Sequence, residues 1–285
     1  MRTNWISFLT DYGVYDGFVA ACHGVIGGIA PAARVIDITH DVPPGDIRRG
    51  AVVLAQTAPY LPSAVHVAVV DPGVGTARQA VALQTPGGLL VGPDNGLLGW
   101  AANALGGVER AVRLDNPAFH LTVVTATFHG RDIFAPVGAH LAAGAEFAEL
   151  GEAVDPSELV RLRRPVLAAA PGRIGCEVLT VDRFGNVQTS ADSAAVAAAG
   201  LLVGEQVEVL TGGVTAEQSP GDDSSRHEVV FGGTFGTVER DQLLSYMDSA
   251  GLLSVAVNGG NAAGRLRLQA GDPVEFRTFS KQGAR

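Results

Sequence analysis

Between residues 4 and 71, short apolar runs exchange regularly with helical stretches, and each apolar run ends in a polar turn. Residues 4–9 read as a strand, Asp11 and Gly13 mark a turn, and 16–29 have helical character up to Pro31. A second strand follows over 34–39, a helical stretch over 46–61 after Pro43 and Pro44, and a β-branched run over 64–70 that stops at Asp71. Strands separated by helices on this spacing run parallel, because only a long crossover returns the chain to the same direction. The expectation is an α/β fold: a Rossmann-like domain with a mainly parallel sheet and helices on both faces. Its ligands gather beyond the carboxyl ends of the strands, where Asp11 and Asp71 fall.

The alternation stops in the second half. The apolar residues before Thr127 read as a strand, and a helix follows Arg131 to about residue 143, with Asp132 as its cap and Pro136 in its first turn. Prolines 156, 165 and 171 accompany a linker, read as 161–172, between a first domain at 1–160 and a second at 173–285. In the second domain, short apolar runs separated by glycine, asparagine and aspartate predict a smaller, mainly β unit. The polar segment 219–227 reads as a mobile loop, and the alanines of 194–199 as compositional bias.

A formal net charge of −9 leaves no general electrostatic footprint for nucleic acid or an anionic membrane surface. Cys22 and Cys176 stand far apart in apolar segments, without zinc or disulfide spacing, and are expected to be buried and reduced. Residues 1–5 lead into a polar turn without the apolar core of a secretory signal, and no apolar run reaches spanning length. The expected location is the cytoplasm.

Four groups of residues bear chemistry. After the third strand, Asp71 and Arg78 flank the glycine turn Gly73 to Gly75, which matches neither a Walker loop nor a dinucleotide fingerprint. The pair is either a brace for the turn or a reactive carboxylate with its cation. Thr127, His129, Arg131 and Asp132 form the second group, in which His129 is either a core or capping histidine or a functional one. The other histidines, 23, 40, 66, 120, 140 and 227, read as structural because none sits with a carboxylate at an obvious strand end, His40 beside Asp41 being the nearest competitor. In the third group, Asp11 and Asp16 are placed either to accept ribose hydroxyls or to cap a helix, and two carboxylates are too few for a cage of hard cations. In the fourth, Phe184 offers a face for a base and Asn186 an amide for its edge, although this segment and the one around Asn258 also read as plain turns.

Taken together, these segments resemble the S-adenosyl-L-methionine hydroxide adenosyltransferases, relatives of the fluorinase and chlorinase. Matching stretches lie at 9–13, 35–44, 70–75, 92–96 and 127–136 in the first half, and at 181–186 and 256–258 in the second. The resemblance implies an amino-terminal α/β domain, a carboxy-terminal β-barrel-like domain, and a homotrimer whose active sites are shared between protomers. It implies a small-molecule substrate with no metal or cofactor. It maps a catalytic trio onto Asp71, Arg78 and His129, the ribose diol onto Asp11, the methionine end onto Asp16, Asp182 and Ser249, and adenine onto Asn186 and the loop from Asn258. Thr127 and Phe184 join the substrate-binding set.

The halogenating relatives carry a tyrosine where this chain has Asp71 and a halide-contacting serine where it has Gly130. A buried carboxylate repels a halide and welcomes a water whose proton it can accept. The expected reaction is hydrolysis of S-adenosyl-L-methionine at the ribose 5′ carbon to adenosine and methionine. The alternatives are a non-catalytic adenosine or S-adenosyl-methionine sensor and a halide-dependent adenosyltransferase.

Overall fold

The computed structural model describes residues 3–212 and 226–279. The chain divides into two compact units, Met1–Arg163 and Arg164–Arg285.

In the first unit, β1 (Trp5–Thr10), α1 (Phe18–Ile29), β2 (Arg34–Thr39), α2 (Ile47–Thr57) and β3 (Val65–Val69) follow the expected exchange. They continue into β4 (Ala80–Thr85), β5 (Gly88–Pro93), α3 (Gly99–Ala104), β6 (Arg110–Arg113), α4 (Ala135–Ala142) and β7 (Ala153–Val154). The seven-stranded sheet has the order β2-β1-β3-β5-β4-β6-β7. Its β2-β1-β3-β5 part is parallel, while β4 pairs antiparallel with β5 and β6, and β6 with β7. The antiparallel half arises because β4 and β5 are joined by the two-residue turn Pro86-Gly87, too short for a crossover.

Side-chain alternation splits the core between the two faces of this sheet. Phe8, Val67 and Val69 pack with Cys22 and Ile26 of α1 and Val137 and Leu141 of α4. Leu9, Ala68 and Val70 point the other way, to Ala51 and Leu54 of α2 and Ala101 of α3. The amino end of α2 is closed by Asp46, whose carboxylate accepts the Arg49 amide at 2.9 Å.

Two expectations for this unit fail. Residues 121–127 form no strand: Val123 and Val124 stand exposed, and the segment pairs with none of the seven strands of the sheet. Nor does Asp132 cap a helix. The chain enters α4 through a π-helical turn, Gly130–Phe134, and Asp132 lies inside that turn, fully buried.

The second unit contains β8 (Leu167–Ala170), β9 (Arg173–Val181), β10 (Val187–Asp192), α5 (Ser193–Ala199), β11 (Gln206–Leu210), β12 (Arg226–Gly232), β13 (Leu243–Met247), β14 (Leu252–Val257), α6 (Ala262–Leu266) and β15 (Pro273–Thr278). The order β10-β14-β13-β12-β11-β15-β9, with β9 pairing back onto β10, closes a seven-stranded barrel. Closure satisfies the backbone groups that an open sheet would leave at its edges. β8 pairs with the outside of β9, so part of the segment read as a linker is a strand. The alanine tract is α5, capped by Asp192 at its start and by Gly200 at its end, and it buries Ala195, Val196 and Ala199 in the barrel core. Of the segment read as a mobile loop, 219–225 lies outside the described residues, and Arg226 and His227 begin β12.

Both cysteines are free and buried. Among the described residues, no helix is long and apolar enough to cross a membrane.

Candidate active site

Four parallel strands deliver their carboxyl ends to one edge of the first unit's sheet. Asp11 follows β1, Gly45 lies beyond β2, Asp71 follows β3, and Asp94 and Asn95 follow β5. From β1 the order proceeds to β2 on one side and β3 on the other, which puts the topological switch point, where ligands of such sheets bind, between Asp11 and Asp71.

Asp71 and Arg78 meet as expected. The Arg78 guanidinium donates from Nε to Asp71 Oδ1 at 3.1 Å and from Nη2 to Oδ2, a bidentate pair whose side chains are 8% and 5% exposed. The turn between them closes through the Thr76 hydroxyl, which donates to the Gly73 carbonyl at 2.7 Å. Gly75 holds φ +76°, and a Cβ there would stand 2.4 Å from the Ala126 carbonyl oxygen. Glycine therefore allows the Asp71 turn to lie against the segment that carries His129.

The same Arg78 Nη2 lies 3.1 Å from His129 Nδ1. Arginine has donors only, so Nδ1 accepts, and the neutral imidazole carries its hydrogen on Nε2. Burial first, and the Arg78 charge second, hold the His129 pKa below the usual histidine value, with Asp71 and Asp132 opposing. The trio is thus an ordered chain in which one guanidinium holds a carboxylate and a neutral histidine.

Asp132 fixes the approach to His129 from behind. Its carboxylate accepts the Thr125 amide at 2.8 Å, the Thr125 hydroxyl at 2.6 Å and Arg131 Nε at 2.6 Å. Burial pushes its pKa up, but the hydrogen bonds from Arg131 and Thr125 outweigh that and leave it below the ordinary carboxylate value. π-Turns are common at functional sites, and this one places His129 at its mouth. Thr127 is exposed two residues before His129.

Asp11 accepts the Gly45 amide on Oδ2 at 2.8 Å. Neither Asp11 nor Asp16 caps a helix: α1 begins after Gly17 without a side-chain cap, and Asp16 is exposed.

Sequence reasoning passed over Tyr12. Its ring packs edge-on against Phe128 and Phe18 at centroid distances of 5.6 and 6.2 Å. A Cβ on Gly130 would stand 2.0 Å from the Tyr12 hydroxyl. Burial, with Cys22, Asp11 and Asp71 nearby, pushes the phenol pKa up, so Tyr12 remains a protonated donor beside the trio. Asn95 was also missed; it donates to the Val70 carbonyl at 2.9 Å and so fixes the backbone entering Asp71. The only sequence signal for either was membership of the matching stretches 9–13 and 92–96.

In the second unit, Asp182, Phe184 and Asn186 lie in the β9–β10 turn, Ser249 in the β13–β14 turn, and Asn258 directly after β14. Asp182 accepts the Phe184 and Asn186 amides on Oδ1, each at 2.9 Å, and Asn186 Nδ2 on Oδ2 at 2.7 Å. Phe184 is 69% exposed, with Arg183 over its ring at 5.7 Å. Ser249 is exposed in the second turn, next to Asp248, which accepts from Gln188 Nε2 at 2.7 Å and the Ser254 hydroxyl at 2.8 Å. Tyr246, whose pKa is raised to about 12 by burial and by Asp248 and Asp182, joins these acids and was not foreseen. Asn258 Nδ2 is committed to the Val238 carbonyl at 2.9 Å, a brace within its own loop.

Comparisons with known proteins find relatives along nearly the whole chain. The SAM hydroxide adenosyltransferase N-terminal domain matches residues 6–151 and the corresponding C-terminal domain matches 176–275. An (R)-S-adenosyl-L-methionine hydrolase of Salinispora arenicola (strain CNS-205) is 56% identical over 95% of this chain and 97% of its own. A fluorinase of Actinoplanes sp. (strain N902-109) is more distant, 28% identical over 93% of this chain and 95% of its own. A crystal structure of an uncharacterized conserved protein from Thermotoga maritima superposes with a TM-score of 0.86 at 34% identity, covering 95% of this chain and 99% of that one.

Proposed function

This chain belongs to the SAM hydroxide adenosyltransferase family, and from that premise we propose that it hydrolyses S-adenosyl-L-methionine to adenosine and L-methionine. The observation that carries this reading is the buried, bidentate Asp71–Arg78 pair with His129 on the same guanidinium.

A water oxygen attacks the ribose 5′ carbon in line with the carbon–sulfur bond. That bond breaks with its electron pair going to sulfur, and the sulfonium leaves as the neutral thioether of methionine. The leaving group needs no proton, so the remaining task is to place one water and take its proton. Arg78 occupies one direction on each Asp71 oxygen, and a carboxylate has acceptor capacity for about four donors, so the water still finds one. His129 already accepts from Arg78 and presents a donor, which makes it an orienting group and leaves Asp71 to take the proton. No step calls for a metal or cofactor.

The test is direct. Purified protein incubated with S-adenosyl-L-methionine should yield adenosine and methionine in equal amounts by chromatography, with chelator present and halides varied. Binding without adenosine above the uncatalysed background would leave only a sensor.

Within this reading, Asp11 holds the ribose diol, with the Gly45 amide fixing its carboxylate. A diol contact is much the same in ground and transition states. Asp11→Ala should therefore weaken adenosine binding about 10- to 100-fold with little change in turnover at saturation, as the loss of charge-assisted hydrogen bonds predicts. Unchanged affinity by calorimetry would remove this role.

Asp16, Asp182 and Ser249 are assigned to the methionine end, and Thr127, Phe184, Asn186 and Asn258 to the nucleoside. We place the enzyme in the cytoplasm, as its free thiols favour. We assign it a homotrimer with each site completed by a neighbouring protomer; a closed ring of identical contacts satisfies every site. A native mass other than three chains would refute the assembly.

A further inference from the structure

We propose that His23, Asp37 and His40 form a binding site for one divalent transition-metal ion of the zinc class, at the outer strand β2 and apart from the catalytic trio. His23 projects from α1, Asp37 lies in β2, and His40 follows that strand. A single atom, Asp37 Oδ1, lies 2.9 Å from His23 Nε2 and 3.1 Å from His40 Nε2, and the three potential ligand atoms all lie within 4.8 Å of one another. Metal–nitrogen and metal–oxygen bonds of roughly 2.0–2.2 Å separate neighbouring ligands by roughly 3.0–3.5 Å, so the two distances to Asp37 are close to the edges of a coordination polyhedron, and a small shift of the exposed His23 completes the third.

His40 supplies the observation that points to a ligand. The residue is 6% exposed, and its Nε2, although near Asp37, makes no hydrogen bond. Its other nitrogen, Nδ1, is 2.8 Å from the Thr10 hydroxyl. When Nδ1 donates to that hydroxyl, Nε2 holds its lone pair toward the cluster, the arrangement by which an outer partner fixes a metal-binding histidine. The Phe8 ring forms an apolar floor, 5.1 Å from His40 and 6.0 Å from His23 by centroids. The His23 and Asp37 side chains are 36% and 41% exposed, which leaves an entry path and room for water at the open coordination position.

Two imidazoles and a carboxylate suit zinc and its first-row neighbours better than calcium or magnesium. The site does not enter the hydrolysis. It does adjoin the turn that carries Asp11: Thr10 immediately precedes that residue, and the His40 carbonyl accepts the Gly13 amide at 2.8 Å. An ion on His40 would brace that turn through both contacts.

The experiment uses the full chain, free of any histidine tag and stripped with chelator. Zinc titrated against a chromophoric indicator should bind at one equivalent per chain. His23→Ala and Asp37→Asn should each weaken binding by more than about 100-fold, since even outer-shell changes cost up to that factor. Both side chains are partly exposed, so circular dichroism should show an unchanged fold. Cobalt should give a visible ligand-field band that both variants lose, and one equivalent of zinc should raise the melting midpoint of the parent chain only. Zinc affinity unchanged in both variants, no zinc binding by the parent, or binding that disappears with His129→Ala instead would overturn the proposal.

Discussion

Asp71→Asn is expected to retain fold and adenosine affinity while turnover falls about 100- to 10,000-fold, the range that one positioned general base contributes. The amide matches the carboxylate in shape and keeps an oxygen for one of the two bonds from Arg78, so the turn around Gly75 need not move. It cannot accept the water's proton. An effect of this kind lies in the transition state, so turnover and its ratio to KM should fall together while the adenosine dissociation constant stays put. Calorimetry with adenosine and a turnover assay separate the two, and near-parental turnover would remove Asp71 from the base role.

Asp132→Ala is expected to cost about 3 kcal/mol of stability, because it strands the Thr125 amide and hydroxyl and half-frees Arg131 at a fully buried position. Urea denaturation reads the loss, and a change under about 1 kcal/mol would contradict it. Asp132→Asn should recover part of it, and its comparison with the parent carries a pH signature. The folded-state pKa of Asp132 lies below its ordinary value, so its contribution is complete above the unfolded carboxylate range and is lost as pH falls through the folded value. The stability gap between parent and Asp132→Asn should therefore close in acid and persist at neutral pH. Turnover should fall in Asp132→Ala as well, since the segment gripped by this carboxylate leads directly to His129.

These two carboxylates were not equally legible in the sequence. Asp71 ends a β-branched run between helical stretches, so local pattern alone put it at a strand's carboxyl end, and the same pattern placed β1, β2 and α2. Its catalytic assignment followed from the family resemblance, because spacing left a structural brace with Arg78 equally open. Asp132 looked like a cap because it opens a helical stretch; only the folded segment 121–129 reveals donors arriving from Thr125. Val123 and Val124 misled for a related reason, since apolar composition reports burial tendency and not the presence of a partner strand. In the barrel, the turn of Asp182 and Asn186 was legible, but Tyr246 and Asp248 come near it only through pairing of strands distant in sequence. His23 and His40 were read as structural because their common carboxylate, Asp37, lies within a strand and not at its end.

The Tyr12 hydroxyl stands where any side chain at position 130 must begin, and its ring is wedged between Phe18 and Phe128. A serine at 130 collides with the phenol as long as Tyr12 keeps its place, while a smaller residue at 12 presents no such obstacle. The two positions therefore constrain each other: the side chain that position 130 can carry is set by the one that position 12 holds.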